Sequence, residues 1–227
     1  MDKKIKVCTW DKDSDCENCK NHNKLNCKWN ANHLTQFYII SLPIMVSHII
    51  GLIILGLVSK TWLPLIGYVL FFPIVLGVFE IKFLCSHCPY YDQKGSVLHC
   101  PANHGLFKIW KYNPLPMNKL EKLLMKLLVI TMIIIMPGII FTYDIYFLVN
   151  NVDTYSNLAV ITTIGILVLT IISEISAIYM MYNHVCSKCV NFSCPFNIVE
   201  KKYVDEYLKT NLTMKKAWEK SGYKLDE

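Results

Sequence analysis

The chain has 227 residues, and residues of the set A, V, I, L, M, F, W, Y and C make up 53% of it. Its formal net charge is +6, and all 23 basic residues are lysines, so it lacks the guanidinium forks that read phosphate and guanine. Nucleic acid is therefore excluded as an expected partner. The lysine-only, cysteine-rich composition suggests a prokaryotic, anaerobic source.

Four apolar segments are each long enough to cross a bilayer, which takes about 20 residues. They run over residues 37–58, 62–84, 123–143 and 157–181. Pro43, Pro73 and Pro137 lie inside them, and membrane helices tolerate such prolines. A soluble fold with four runs of this length would keep little polar surface. The sequence therefore predicts an all-α integral membrane protein, a four-helix bundle embedded in the lipid bilayer.

The lysines predict how this bundle is oriented. With four spans, the N-terminus, the central loop and the C-terminal tail share one side. Only two short connections, near 59–61 and 144–156, lie on the other side. Lys60 is the one lysine assigned to that far side. Because cytoplasmic loops carry an excess of lysine, we expect a multi-pass protein of the cell membrane with both termini cytoplasmic.

The predicted organisation has five parts. They are a cytoplasmic cysteine-rich segment at 1–33, transmembrane helices 1 and 2 within 34–84, a cytoplasmic Cys/His loop with an interfacial segment at 85–122, transmembrane helices 3 and 4 within 123–181, and a cytoplasmic cysteine-rich tail at 182–227. Asn118 and Glu121 resemble a capping box that opens the third span. In the tail, short amphipathic helices are expected at 199–209 and 214–221, with Thr213 as N-cap and Gly222 as stop.

All ten cysteines fall on the side predicted to be cytoplasmic. Cytosolic thiols are normally reduced, so a disulfide framework is disfavoured. Close spacing within each group of cysteines favours metal binding. A reactive thiol is a further interpretation, since Lys188 lies between Cys186 and Cys189 and could lower a thiol pKa. That interpretation leaves most of the other cysteines unexplained.

The N-terminal group supplies four thiolates within 20 residues, enough to fill a tetrahedral metal site. Its members are Cys8, Cys16, Cys19 and Cys27. Several acidic residues in the same stretch favour a bound cation. Two alternatives stay open: only the Cys16-x2-Cys19 pair binds a metal, or the segment is a reduced and disordered tail.

The central loop contains the pattern C-x2-C-x11-C-x3-H. Its members are Cys85, Cys88, Cys100 and His104. Three thiolates and an imidazole at this spacing predict a zinc-like Cys3His site. The alternative is a pair of structural thiols with surface histidines.

The tail contains Cys186-x2-Cys189-x4-Cys194, and His184 lies two residues before the first of them. His184 is a candidate fourth ligand for a metal. The loop and the tail follow the second and fourth spans, so pooling of their six thiolates in one or two shared sites is the other arrangement. Such a shared site would clip these two spans together.

The metal itself is not fixed by the pattern. Cys88, Cys100 and Cys194 are each followed by proline, as is the last ligand of bacterial ferredoxin runs. The tail differs from that run in spacing and count. Zinc and iron–sulfur clusters use similar ligands. Zinc is the first expectation because histidines flank both three-cysteine groups, and an iron–sulfur cluster is the alternative.

Three ionisable residues lie inside the apolar segments. His48 is near the middle of the first, Glu80 near the cytoplasmic end of the second, and Glu174 about two turns from the cytoplasmic end of the fourth. Ionisable groups at such depth usually face the bundle interior. A Glu174–His48 or a Glu80–Lys82 neighbourhood would relay protons or bind a cation. The alternative is an interhelical hydrogen bond without a transport role.

Three functions follow as expectations. The first is a multi-pass membrane protein whose metal sites order the cytoplasmic face for docking of a cytoplasmic protein partner. The second is an iron–sulfur membrane redox subunit that transfers electrons. The third is a small ion or proton transporter that uses Glu174 and His48. No nucleotide-binding loop, dinucleotide fingerprint or Ser/His/Asp pattern is present, so the question of enzymatic activity stays open.

Overall fold

The computed structural model describes residue 9 and residues 17–100, 102–151 and 157–226. These residues form helices and connecting loops and contain no β-strand. A single isolated antiparallel bridge within them joins Val97 and Phe107. The prediction of an all-α chain is confirmed.

Among the described residues, four helical stretches are long and apolar enough to cross a membrane. Their bounds are Ala31–Ser59, Leu63–His87, Lys119–Asn150 and Asn157–Lys188. The prediction of four spans is therefore confirmed, and the architecture is that of a multi-pass membrane protein. The kind of membrane and the side on which the termini lie stay predictions.

Each span is made of one or more helical segments. The first span is α1, Ala31–Ser59. The second contains α2 (Leu63–Ile74), a π-helix (Val75–Glu80), α3 (Ile81–Phe83) and a 3-10 turn (Cys85–His87). The third contains α4 (Lys119–Ile130), a π-helix (Thr131–Ile135) and α5 (Met136–Asn150). The fourth contains α6 (Asn157–Met180), a π-helix (Met181–Val185) and a 3-10 turn (Cys186–Lys188). The tail adds α7 (Lys201–Thr210) and α8 (Leu212–Lys220).

Two of the π-helices lie beside prolines. Pro73 precedes the π-helix Val75–Glu80, and Pro137 follows the π-helix Thr131–Ile135. Proline has no backbone N–H to donate and its ring clashes with the preceding turn. A local change of hydrogen-bond register accommodates both problems without ending the span.

The third span ends later than the sequence pattern indicated. Asp144 was expected at the start of the far connection, but α5 continues to Asn150 and buries Asp144 completely. Ile140, Asp144 and Leu148 follow one another at four-residue spacing on one face of the helix, and all three are buried. The helix therefore continues through Asp144 because that position belongs to its packed stripe.

The chain forms two compact units. The first, named here the cysteine unit, comprises Met1–Phe37, Leu76–Met125 and Met181–Glu227. The second, named the helical unit, comprises Tyr38–Val75 and Lys126–Met180.

The cysteine unit has an apolar core assembled from three distant stretches of sequence. Its buried members are Leu25, Tyr90, Cys100, Val190, Val204, Tyr207, Leu208, Met214 and Trp218. Hydrogen bonds join the same stretches. The Asn26 amide donates to the Lys188 carbonyl at 2.8 Å, and the Tyr90 hydroxyl donates to the Asn26 carbonyl at 2.7 Å. The loop and the tail are thereby brought into one folded body.

In the helical unit, glycine allows close approach between helices. A Cβ atom added at Gly51 of α1 would lie 2.8 Å from Ile140 Cγ2 and 3.2 Å from Phe141 Cζ, both on α5. Small residues at such points let membrane helices pack closely. Leu52, Tyr68 and Ile140 form the buried cluster next to this contact.

The capping box predicted at the start of the third span is confirmed. The Asn118 amide donates to Glu121 Oε2 at 2.7 Å, and the Glu121 amide donates to Asn118 Oδ1 at 2.9 Å. The N-cap predicted in the tail is wrong. Asn211, not Thr213, accepts the Met214 amide at 3.1 Å, because α8 begins two residues earlier than expected. Gly222, with φ +93°, lies just beyond the end of α8, as predicted.

Candidate functional site

A cavity of about 100 Å³ lies in the cysteine unit. Cys85, Cys88 and Cys100 of the central loop line it together with Cys189 of the tail. Glu80 also lines the cavity. The structure therefore brings three loop cysteines and one tail cysteine to one place. The sharing of a metal between loop and tail stays a prediction.

The C-x2-C pairs of the loop and the tail have the same local structure. Each pair follows a long apolar helix, and a 3-10 turn begins at its first cysteine, over Cys85–His87 and Cys186–Lys188. The second cysteine leaves that turn in an extended conformation, with φ −86° and ψ 136° at Cys88 and φ −76° and ψ 130° at Cys189. The loop and the tail thus share both a sequence pattern, an apolar helix followed by C-x2-C, and the backbone conformation of that pattern.

Backbone amides donate to the cysteine sulfurs. The Asn103 amide donates to Cys100 Sγ at 3.0 Å, and the Asn191 amide donates to Cys189 Sγ at 3.4 Å. Further backbone donors are Tyr90 to Cys88, and Phe196 and Asn197 to Cys194. Hydrogen bonds of this kind orient metal ligands and tune the charge on a ligating sulfur.

Burial controls the protonation of these thiols. It raises the pKa of Cys88 well above its usual value, and the neighbouring Cys189 raises it further. Burial also raises the pKa of Cys100 to about 11, of Cys189 to about 12 and of Cys194 to about 11. At neutral pH the free thiols are therefore protonated. Protonated, buried thiols are poor nucleophiles, which argues against reactive-thiol chemistry at these positions.

Asn103 joins an acidic side chain to the sulfurs. Its Nδ2 donates to Glu80 Oε1 at 2.8 Å and to Cys85 Sγ at 3.1 Å. The sequence had suggested that Lys82 lies beside Glu80. In the structure Lys82 Nζ lies over the Trp110 ring, 4.8 Å from its centroid. Sequence reasoning missed Asn103.

The signal that could have identified Asn103 is a repeated tetrapeptide. Residues 100–103 read CPAN and residues 194–197 read CPFN. Asn197, the counterpart of Asn103, donates through Nδ2 to the Cys189 carbonyl at 2.7 Å. In both turns the asparagine side chain thus bonds a cysteine of the C-x2-C pair that precedes it.

The thiols surround the cavity without converging on one point. Within the part of the chain that the structure describes, no three His, Cys, Asp or Glu side chains are arranged to hold a single metal ion. His104 does not line the cavity; its ring stacks on Trp29, with the centroids 4.8 Å apart. His184 is exposed. Both histidines stay predicted ligands.

The remaining cysteines occupy different environments. Cys186 and Cys194 are partly buried in the same unit but do not line the cavity. Cys19 is also partly buried, and Cys27 packs against the apolar core. Cys8 and Cys16 lie outside the described residues, so the predicted N-terminal metal site stays a prediction. No disulfide bond joins any of the eight described cysteines.

A second group of polar side chains lies inside the helical unit. His48 Nε2 is 3.2 Å from Glu174 Oε1, and His48 Nδ1 is 3.4 Å from the Tyr68 hydroxyl. All three side chains are buried. Asp144 is buried in the same unit, and neither of its carboxyl oxygens has a hydrogen-bond partner in the structure. The sequence singled out His48 and Glu174 but neither Tyr68 nor Asp144.

No family model, curated protein or solved structure matches this chain. The functional argument therefore rests on the residues and their geometry.

Proposed function

We propose that the chain is a membrane-anchored iron–sulfur protein whose cysteine unit holds a cluster and transfers electrons. The ligands are Cys85, Cys88, Cys100 and Cys189. The observation that carries the proposal is the cavity of about 100 Å³ that these four thiols line. On the same measure one water molecule needs roughly 10–15 Å³, so the cavity has room for a group of several atoms.

The ligand set supports a cluster over a single zinc ion, the metal first expected from the sequence, because neither His104 nor His184 lines the cavity. Zinc draws its thiolates to about 2.3 Å from one point. The described residues contain no group of three ligands arranged in that way. An iron–sulfur core places several atoms between its ligands, and four cysteines are its usual set.

The surroundings of the sulfurs support electron transfer. Leu84, Leu98 and Val190 line the cavity together with the four cysteines, so the surface around the sulfurs is largely apolar. Backbone donors to Cys88, Cys100 and Cys189 stabilise negative charge on the ligating sulfurs. Exposure and hydrogen bonds to sulfur are the means by which a protein sets the potential of a cluster. When bound, the cluster itself accepts and donates one electron.

The lysine asymmetry supports a cytoplasmic position for this site. Lys60 is the one lysine in the connections predicted to lie on the far side of the membrane. The cluster is then placed to exchange electrons with a cytoplasmic protein partner. Ordering of the cytoplasmic face by zinc is the second candidate, favoured by the way loop and tail meet in one apolar core.

The experiment that separates the two candidates uses the full chain purified anaerobically in detergent. Iron, acid-labile sulfide and zinc are measured per chain, and visible spectra are recorded before and after dithionite. We expect brown protein that is bleached by the reductant and contains equal amounts of iron and sulfide, about two or about four of each per chain, since four cysteines hold either type of cluster. Colourless protein with stoichiometric zinc would overturn the iron–sulfur proposal in favour of the zinc candidate.

Paired variants test the assignment of ligands. Cys88→Ser with Cys189→Ser removes one sulfur from each contributing segment and should abolish the visible spectrum. The matched control is Cys186→Ser with Cys194→Ser, which removes two thiols that do not line the cavity. The control should keep its iron and its spectrum. Equal loss of iron from both double variants would contradict the assignment of these four ligands.

A further inference from the structure

Four ionisable side chains are buried in the described residues of the helical unit, namely His48, Tyr68, Asp144 and Glu174. The other described ionisable side chains of this unit are exposed. They are Tyr38, Lys60, Lys126, Tyr143, Tyr146 and Tyr179. Burying ionisable groups among apolar helices is costly, and such groups usually mark a path for ions or protons. No part of the iron–sulfur proposal uses them.

Three of the four form a continuous polar chain. His48 lies between Tyr68 and Glu174, with its Nδ1 3.4 Å from the Tyr68 hydroxyl and its Nε2 3.2 Å from Glu174 Oε1. Each neighbour thus meets a different ring nitrogen. A neutral imidazole donates at one nitrogen and accepts at the other, so it can take a proton on one side and release one on the other.

The four buried groups lie at different positions along their helices. At a rise of 1.5 Å per residue, Tyr68 lies about 8 Å from the start of α2, and His48 about 16 Å from the end of α1. By the same measure Glu174 lies about 25 Å from the start of α6, and Asp144 about 9 Å from the end of α5. Counted along each helix from its own end, Tyr68 and Asp144 are therefore the nearest of the four to a helix end, and Glu174 is the farthest.

We propose that Tyr68, His48 and Glu174 form a proton-transfer chain in the helical unit, and that Asp144 is a second proton-binding position in the same unit. The Tyr68 hydroxyl gives its proton to His48 Nδ1 and takes another from a water molecule on its far side. The Nε2–H bond breaks, and its proton forms an O–H bond with the Glu174 carboxylate. His48 is neutral again, now with its proton on Nδ1. Glu174 then passes its proton to a water molecule and returns to the carboxylate, and exchange of the ring tautomer, which moves the His48 proton from Nδ1 back to Nε2, resets the chain. A proton gradient across the membrane drives the transfer.

Asp144 fits this proposal because its carboxyl group is fully buried and neither oxygen has a partner. An ionised carboxylate in that environment lacks any compensation for its lost hydration. Binding of a proton removes the charge. The helical unit therefore contains two separate groups that bind protons, the His48–Glu174 pair and Asp144.

The test uses the full chain in liposomes that contain a trapped pH-sensitive dye, with a potassium gradient and valinomycin to set the membrane potential. We expect proton entry well above that of empty liposomes. Glu174→Gln and Tyr68→Phe should each lower the rate by about a hundredfold, the order of magnitude contributed by a positioned acid or base. The matched controls are Glu219→Gln in α8 and Tyr146→Phe, an exposed tyrosine of the helical unit, which should transport at the wild-type rate.

Folding is checked by monodisperse elution in detergent and by helical circular dichroism. If Glu174→Gln fails these checks, Tyr68→Phe decides, because it removes one hydroxyl and keeps the ring in its packed cluster. A wild-type rate equal to that of empty liposomes would overturn the proposal. So would an unchanged rate in folded Tyr68→Phe, or transport that follows a sodium gradient instead of the proton gradient. The iron content of these variants is expected to equal that of the wild type, so the outcome is independent of the cluster.

Discussion

Asp205 is a buried carboxylate that ties the end of the tail to α7. It is 3% exposed and accepts hydrogen bonds from Lys201 Nζ at 2.5 Å, the Tyr223 hydroxyl at 2.7 Å and the Asp226 amide at 3.2 Å. Burial by itself raises the pKa of Asp205, but the hydrogen bonds from Lys201 and Tyr223 outweigh burial and hold that pKa below its usual range. The folded chain therefore favours the ionised form of this group.

Replacing this carboxylate should destabilise the tail. Asp205→Asn removes the charge that three donors share, and we expect the free energy of unfolding to fall by roughly 1–3 kcal/mol. Denaturant unfolding of the full chain in detergent, followed by near-ultraviolet circular dichroism, measures the change. Glu219→Gln is the control, because the Lys215–Glu219 pair at 3.8 Å is partly exposed. Its expected effect is below about 1 kcal/mol, and a larger loss in the control than in Asp205→Asn would contradict the role of Asp205.

The same contacts predict how stability depends on pH. The pKa of Asp205 is lower in the folded chain than in the unfolded chain, where it is about 3.9. The stabilisation is therefore complete above about pH 5 and is lost as the pH falls through the folded pKa. Acid unfolding midpoints of wild type and Asp205→Asn give the measurement. We expect the difference in stability between them to shrink below pH 4, and a constant difference across that range would contradict this account.

Single residues could be predicted from the sequence where an ionisable side chain occurs within an apolar segment. His48 and Glu174 are conspicuous as ionisable residues in apolar runs, and the structure joins them at 3.2 Å. Tyr68 is one of 13 tyrosines, so composition gives no reason to select it. Asn103 binds Glu80 and Cys85 only because the loop folds back on the end of the second span. A short sequence pattern does not identify a side chain whose contacts form only when the loop folds back.

Helix packing in the helical unit depends on a glycine at a close contact. Gly51→Ala places a methyl group 2.8 Å from Ile140 Cγ2, where a side chain or a helix must shift. We expect a loss of stability of about 1–3 kcal/mol from overpacking, offset in part by the better helix propensity of alanine. Thermal unfolding in detergent, monitored by circular dichroism, gives the comparison.

Gly165→Ala is the matched control, since nothing lies within 4 Å of a Cβ atom at that position of α6. It should leave stability unchanged or raise it by up to about 1 kcal/mol. Equal effects of the two substitutions would show that α1 and α5 do not meet at Gly51 as described.

Elements were predictable where hydropathy alone decides them. Four runs of about 20 apolar residues predict four spans because a bilayer demands that length. The end of the third span was placed too early, since a charged residue in sequence reads as an exit from the membrane. Asp144 lies within α5 because Ile140 and Leu148, one turn before and one turn after it, are buried on the same face of the helix. The end of the third span therefore depends on which face of α5 is packed. A hydropathy average over a window of residues does not detect that face.

At the scale of the whole molecule, the orientation is open to a direct test. Asn151→Cys introduces a thiol in the short connection that follows α5, and Ser221→Cys introduces one after α8. A membrane-impermeant maleimide applied to intact cells should modify Asn151→Cys and leave both Ser221→Cys and the wild type unmodified. Permeabilised cells should allow modification of Ser221→Cys. Modification of Ser221→Cys on intact cells would reverse the orientation predicted from the lysines.

The shared cavity shows why the arrangement of sites was harder to predict than the number of spans. The spacing within the loop and tail groups suggested one site in each, with a histidine as fourth ligand, and left open a site shared between them. In the structure Cys189 lines a cavity with cysteines that lie about a hundred residues earlier in the chain. The contacts that bring them together run through Asn26 and Tyr90, in a stretch that the local pattern treats as a separate segment.

The apolar core of the cysteine unit also sets an order of events during synthesis. Leu25 and Tyr90 leave the ribosome long before Trp218, the last buried member of that core. The first three spans are synthesised before the tail residues that pack around Cys85, Cys88 and Cys100. The loop cysteines of the nascent chain therefore stay uncovered until translation has nearly finished, and the proposed cluster, which also needs Cys189, forms only late in synthesis.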